Sequence, residues 1–158
     1  MLLGKKRKLG RQIEDMSIGE KLTLTEKIED KDLLLFLGLT NDSNPLYIQH
    51  DYASQTPYKK PIVPSIMLTG FVTSAVSKYM PGPGSHVKEQ NLRFPKPLYH
   101  YATIDYTFEV KSIDRPNYEV EIAVQAVDES GDVVLKGTVI VCPPHKLERF
   151  EGSALDNF

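Results

Sequence analysis

The sequence predicts an α+β fold in which an antiparallel sheet curls around one long helix. The most apolar stretch, residues 64–79, carries apolar side chains on more than one face, as is typical of a helix covered by a sheet. Four segments of alternating polarity follow it, and this period of two predicts strands with one buried face. With 158 residues, 41% of them hydrophobic, the chain is sized for a single domain spanning residues 1–158.

The first part of the chain predicts one strand, one short helix and one long polar connector. Apolar and polar residues alternate through 21–28, which indicates a strand. Asp30 has the character of an N-cap, and residues 31–39 predict an apolar-faced helix that ends near Gly38. The polar segment 40–60 is long for a connector, and long ordered loops are disproportionately functional.

The central helix is predicted to begin with Pro64 in its first turn and to stop at the Pro-Gly-Pro-Gly sequence that starts at Pro81. Residues 129–132 predict a hairpin turn near the end of the chain. The predicted strands are 87–94, 102–112, 118–128 and 133–142. Such a sheet leaves an edge that must be covered or paired, so we expect a dimer. This arrangement is the hot-dog architecture.

Composition and charge argue against several classes of function. A net charge of −2 provides no overall attraction to nucleic acid or to an anionic membrane, and the basic run within the tail 1–10 indicates a solvated segment. The tail 146–158 is mostly polar. No apolar segment approaches the ~20 residues that a membrane span requires. No His, Asp and Glu spacing predicts a metal site.

The chain contains one cysteine, Cys142, which excludes an intramolecular disulfide and a cysteine-based zinc cluster. It follows the apolar run Val-Ile-Val, so we expect a buried structural thiol rather than a nucleophile. A reducing, cytoplasmic setting is the corresponding prediction.

The polar connector concentrates chemically useful side chains shortly before the central helix. Asp42, Asn44, Tyr47 and His50 supply an acid, an amide, a phenol and an imidazole. A helix N-terminus presents free N–H groups and a favourable dipole, which stabilise negative charge on a carbonyl oxygen. The same residues also suit an Asx turn before a proline, so catalytic and structural interpretations both remain open at this point.

The chain resembles the MaoC-like branch of the hot-dog superfamily, specifically the single-domain (R)-specific enoyl-CoA hydratases. The resemblance covers roughly residues 10–142, and its motifs lie at 13–20, 41–46, 61–63, 81–85 and 92–98. In that family the loop pattern is Asp-x-Asn-Pro-Leu-His, and its Asp and His act together on the water that adds to the enoyl thioester. Asp42, Asn44, Pro45 and Leu46 match this pattern position for position.

Two departures from the family pattern concern its chemistry. Tyr47 stands where the family has its catalytic His, and a phenol, with a reference pKa of about 10, is a poor base at neutral pH. Tyr47 can still orient water for Asp42, and His50 is an alternative source of an imidazole. At the helix entrance the family's His-Gly-Met is replaced by Pro64-Ser65-Ile66, where the Ser65 backbone N–H still provides an oxyanion donor.

The resemblance implies reversible hydration of a trans-2-enoyl-CoA, or dehydration of the (R)-3-hydroxyacyl thioester, in fatty-acid metabolism. Asp42 is then the general acid or base, Asn44 fixes the loop, and Tyr47 holds water or lines the pocket. The predicted acyl-chain surface on the central helix comprises Ile66, Met67 and Phe71. No cofactor is implied, since the CoA or acyl-carrier thioester is the substrate.

Loss of the family His also supports an alternative function. Some hot-dog proteins lack catalytic residues and serve as an acyl-thioester-binding module or as the non-catalytic subunit of a heterodimer. Retention of Asp42 and its loop argues against that interpretation. A thioesterase is a third and weaker possibility, because fold alone does not determine the reaction. The expected partners are an acyl thioester and a second hot-dog subunit, either identical or different.

Overall fold

The computed structural model describes residues 9–148, which form one five-stranded antiparallel sheet and four α-helices. The strand order is β1-β3-β4-β5-β2. In chain order the elements are a 3-10 helix at Ile13–Asp15, β1 at Lys21–Lys27, α1 at Asp30–Thr40, α2 at Pro45–Ile48, α3 at His50–Ser54, α4 at Ser65–Lys78, β2 at His86–Arg93, β3 at Thr103–Asp114, β4 at Glu119–Val127 and β5 at Val133–Cys142. Strands β1 and β2 are the two sheet edges. Within 9–148 no helix has the length and apolarity of a membrane span.

The hydrophobic core lies between α4 and the inner face of the sheet. Every second side chain is buried along β4 and along β3 as far as Val110, where the pairing of β3 with β4 becomes irregular. Helix α4 contributes the buried side chains of Leu68, Val72, Ala75 and Val76. The Tyr106 hydroxyl of β3 donates to the Leu68 carbonyl at 3.0 Å, and burial raises the pKa of this phenol. This hydrogen bond connects the first half of α4 to the centre of the sheet.

Helix α1 differs at both ends from the prediction. Its N-cap is Glu29 rather than Asp30, because the Asp32 carboxylate accepts a hydrogen bond from the Glu29 amide at 2.9 Å. The helix continues past Gly38 to Thr40, and Asn41 ends it with a φ of 55°. Asn is one of the few residues that tolerate this left-handed conformation.

The polar connector is more structured than the sequence suggested, since it contains the short helices α2 and α3. Pro64 is the N-cap of α4 rather than a residue of its first turn. Helix α4 packs against the sheet as predicted, and Ile66, which is 60% exposed, and exposed Gly70 lie away from the face that the sheet buries.

Outside the central layers, Cys142 is half-buried rather than fully buried. Its Sγ lies 3.6 Å from His145 Nε2, and the His145 ring stacks on Tyr118 with centroids 4.1 Å apart. The predicted tails fall largely on residues 1–8 and 149–158, which lie outside the described residues.

Candidate active site

The Asp42 loop is built by short-range hydrogen bonds that end α1 and begin α2. Asp42 Oδ1 accepts from the Asn44 amide at 3.2 Å. The Asn44 side chain, the N-cap of α2, accepts from the Leu46 amide at 3.0 Å. Asp42 and Asn44 therefore do form the local turn and cap that the structural interpretation predicted. It leaves Asp42 exposed, with Oδ2 taking no hydrogen bond from the described part of the chain.

The main chain joins this loop to the segment that leads into α4. The Ile62 amide donates to the Leu46 carbonyl at 3.0 Å, and the Val63 amide donates to the Leu98 carbonyl at 2.8 Å. Ile62 also forms an isolated bridge with Tyr99. The loop and the N-terminal end of α4 are consequently held in a fixed relation, although about twenty residues of sequence separate them.

Ser65 is the first residue of α4, and its backbone N–H belongs to the first turn, which has no intrahelical acceptor. The N-cap Pro64 offers no side-chain hydrogen bond to this turn. Ser65 lines a cavity of about 210 Å³, termed here the Ser65 cavity. Its other lining residues are Tyr58, Ile62, Val63, Leu68, Phe94, Pro95, Lys96, Pro97 and Leu98.

Apart from Ser65, the sequence analysis assigned none of these lining residues to the active site. The available signal was the Phe-Pro-Lys-Pro-Leu sequence at 94–98, which is part of the family resemblance but was not connected to Ser65. The Val63–Leu98 hydrogen bond makes that connection in the folded chain.

Tyr47 is half-buried on α2 and packs edge-on against Phe36 of α1, with ring centroids 6.5 Å apart. Neither Tyr47 nor Asp42 lines the Ser65 cavity. The structure therefore links the predicted residues through the backbone, while convergence of the Asp42 and Tyr47 side chains on the Ser65 amide remains a prediction.

The three predicted acyl-binding residues of α4 separate onto two faces. Met67 and Phe71 lie one helical turn apart and pack against the core, and the Phe71 ring lies 6.1 Å from that of Tyr106. Ile66 points outward and is 60% exposed. Of the three, Ile66 is the one available to cover a bound acyl chain or a partner subunit.

His50 lies apart from Ser65. It lines a second cavity of about 380 Å³, termed here the histidine cavity, together with Asp30, Lys60, Pro61, Tyr99, His100 and Tyr101. The buried Nε2 atom of His100 has no hydrogen-bond partner. No group of three or more His, Cys, Asp and Glu side chains within residues 9–148 is arranged to hold a metal ion.

Burial lowers the pKa of His100, and nearby His50 lowers it further. The carbonyls of Ile62 and Tyr47 and the Asp30 carboxylate oppose this shift without reversing it. The folded protein therefore binds a proton at His100 less readily than the unfolded chain does.

This shift predicts loss of stability in mild acid. Because the His100 pKa is lower in the folded state, the free energy of unfolding should fall as pH drops below about 6.5 and level off below the folded pKa. The slope of the free energy of unfolding against pH is set by the number of protons taken up on unfolding. His100→Gln should reduce that number by less than one, since the imidazole is only partly buried. Urea unfolding at a series of pH values measures this, with His86→Gln as the control. Equal slopes for wild type and His100→Gln would contradict the assignment.

Comparison with known proteins agrees with the motif analysis. Residues 14–131 match the family described as MaoC like domain. An (R)-specific enoyl-CoA hydratase of Rhodospirillum rubrum is 30% identical over 83% of this chain and 90% of its own length. A 3-hydroxybutyryl-CoA dehydratase of Methylorubrum extorquens is 26% identical over 85% of each chain.

Solved structures confirm the hot-dog architecture. The unliganded (R)-hydratase of Pseudomonas aeruginosa superposes with a TM-score of 0.79 at 25% identity, covering 92% of this chain and 96% of its own. A chain of the ChsH1–ChsH2 complex of Mycobacterium tuberculosis superposes with a TM-score of 0.72 at 22% identity. That similarity covers 80% of this chain and 98% of the other. At 22% identity it concerns the fold alone.

Proposed function

Because this chain belongs to the MaoC-like domain family, we propose that it is an acyl-thioester hydratase and dehydratase. It adds water to trans-2-enoyl thioesters, or removes it from (R)-3-hydroxyacyl thioesters, in fatty-acid metabolism. The observation that carries this proposal is the similarity to an (R)-specific enoyl-CoA hydratase over 90% of that enzyme's length. The retained Asp-x-Asn-Pro-Leu loop, hydrogen-bonded to the segment before α4, supports it.

In the proposed mechanism the thioester carbonyl oxygen accepts a hydrogen bond from the Ser65 amide. The helix dipole of α4 and this N–H stabilise the negative charge that develops when water adds at C3. The exposed Asp42 carboxylate takes a proton from water as the water oxygen bonds to C3. The protonated Asp42 then delivers that proton to C2, so that one water molecule is added and the carboxylate is regenerated. Tyr47 orients the water or lines the site, and Asn44 holds the loop by capping α2. The chemistry needs no cofactor, because the CoA or acyl-carrier thioester is itself the substrate.

A hydration assay on the purified protein tests this proposal. Short and medium trans-2-enoyl-CoAs are supplied, and loss of the conjugated enoyl absorbance is followed. We expect turnover, with formation of the (R)-3-hydroxyacyl-CoA product. Release of free CoA without hydration would instead favour a thioesterase.

One observation supports the alternative of a non-catalytic subunit. Tyr47 packs against Phe36 and places a phenol, not an imidazole, where the family has its His. Under this alternative the chain binds an acyl thioester and stabilises a second, catalytic hot-dog protein.

We also propose that the working form is a dimer, with a second copy of this chain as the favoured partner and a different hot-dog protein as the alternative. Among the strands of residues 9–148, the edge strand β2 pairs with β5 alone, which leaves its outer side available for pairing. Exposed Ile66 and Asp42 leave the candidate site open in the isolated subunit. A reducing, cytoplasmic location fits the single cysteine.

Light scattering of the purified chain should give twice the subunit mass of 17.8 kDa. A monomer at micromolar concentration that still hydrates enoyl-CoA would contradict the dimer proposal.

A further inference from the structure

The histidine cavity lies apart from the proposed active site. Asp30 lines it at the first residue of α1, whereas Asp42 follows the far end of that helix. At 1.5 Å of rise per residue, these two ends are about 15 Å apart. Ile62 and Tyr99 pair in a bridge, with Ile62 lining the Ser65 cavity and Tyr99 lining the histidine cavity. The two cavities are therefore neighbours with a shared wall but separate linings.

Two of the acidic groups at this end of α1 have partners outside the cavity. The Asp32 carboxylate accepts from the Glu29 amide at 2.9 Å, and the Glu29 carboxylate lies 3.4 Å from the Lys31 ammonium. The Asp30 carboxylate, which lines the cavity beside Tyr101, raises the pKa of the Tyr101 phenol. The Asp30 carboxylate therefore remains the one acidic group in the cavity lining.

Two nitrogen groups of the cavity lining, the Lys60 ammonium and the His100 Nε2, have no hydrogen-bond or ion-pair partner within residues 9–148. The Lys60 ammonium lies 4.8 Å from the centre of the Tyr99 ring, and in residues 9–148 no carboxylate is within 4.0 Å of it. His100 Nε2 is buried without a partner, although buried polar atoms are normally satisfied. His50 lies at the exposed side, near enough to His100 to lower its pKa. The nitrogen groups of His50, Lys60 and His100 face one carboxylate, that of Asp30, so a ligand that supplies further acceptors fits the cavity.

Backbone strain marks the same place. Tyr101, in the cavity wall, has a φ of 65°. Lys59, the residue before the lining residue Lys60, has the same φ of 65°. Bulky side chains rarely adopt this left-handed conformation, and such strain tends to persist where the surroundings hold a functional geometry.

We propose that the histidine cavity binds a small oxyanion, either a carboxylate or a phosphate-type group. The Lys60 ammonium and the His100 Nε2–H are its principal donors, and His50 contacts it from the exposed side. This site is additional to the proposed hydratase activity and does not depend on it. Every titratable group facing the bound anion is in the cavity lining: Asp30, His50, Lys60, Tyr99, His100 and Tyr101.

Binding is linked to protonation. A bound anion stabilises the imidazolium form of His100 and offsets the burial that disfavours charge there. The anion should therefore bind about tenfold more tightly at pH 6 than at pH 8, if one proton is taken up over part of that range. The Asp30 charge opposes the anion at both pH values and does not produce this difference.

The test is a titration of the full chain, followed by NMR of its four histidine rings. Sulfate and acetate serve as probes, since each keeps a constant charge between pH 6 and pH 8. We expect saturable shifts of the His50 and His100 signals, while those of His86 and His145 stay unchanged. A response to sulfate only assigns a phosphate-type ligand, and a response to acetate only assigns a carboxylate.

Charge-matched variants complete the experiment. Lys60→Gln should weaken binding at least tenfold, and His100→Gln should remove most of the pH dependence. Lys136→Gln, which removes an equal charge from the exposed outer side of β5, should leave binding unchanged. Absence of saturable shifts, equal shifts of all four rings, or equal affinity of Lys60→Gln and wild type would each overturn the proposal.

Discussion

Replacing Asp42 by Asn is expected to lower kcat/KM for enoyl-CoA hydration by about 100- to 10,000-fold, the usual effect of losing a general acid or base. The substitution removes the ionisable group but keeps a side-chain carbonyl oxygen. That oxygen can still accept the hydrogen bond from the Asn44 amide, which Asp42 Oδ1 accepts at 3.2 Å. The loop should therefore keep its conformation, and the loss should appear in kcat rather than in the melting temperature.

Asp51→Asn is the matched control. Asp51 is also an exposed acid of the connector, in the first turn of α3, and it lines neither cavity. Its replacement should leave kcat/KM within about twofold of wild type. An Asp42→Asn protein that is as active as wild type would rule out the mechanism proposed here.

The strands and the central helix were predictable because their periodic patterns are long. The predicted segment 133–142 coincides with β5, and 102–112 is close to β3 at Thr103–Asp114. In each of these elements one face is buried, so each position along the chain contributes to the same pattern. In α4 the apolar pattern extends beyond the face that the sheet buries, since apolar Ile66 is exposed in the single subunit.

The connector was less predictable because its elements are too short to show a period. Helices α2 and α3 contain four and five residues, little more than one turn each. Local capping chemistry forms α2, with Asn44 as the N-cap and Pro45 in the first turn. The sequence contained those residues, but they were equally suited to an isolated turn.

The two cavities were beyond the reach of local sequence patterns. The Ser65 cavity combines residues near 58–68 with residues 94–98, and the histidine cavity joins α1, α3 and the segment before β3. His100 is unremarkable in sequence, and its unpartnered Nε2 arises only because several separate segments meet around it. Long-range placement of this kind depends on the strand order of the sheet, which the sequence did not determine.

Replacing Tyr47 by His is expected to raise hydration activity, by up to about 100-fold where the wild type is slow. It returns an imidazole, which titrates near neutrality and can exchange protons in both directions, to the position where the family has its catalytic His. The smaller ring gives up part of the edge-on contact with Phe36, so a modest loss of stability should accompany the gain. Both kcat/KM and the free energy of unfolding are measured for each variant.

Tyr47→Phe separates packing from chemistry at the same position. It keeps an aromatic ring against Phe36 and removes only the hydroxyl, so it should cost little or moderate activity if Tyr47 merely orients water. A large loss would make the phenol a direct participant. If wild type and Tyr47→His are both inert yet bind acyl-CoA, the missing His is not the cause of inactivity, because restoring it changes nothing. The chain is then the binding subunit of a hot-dog heterodimer, and mixing it with its catalytic partner should produce the activity that neither shows alone.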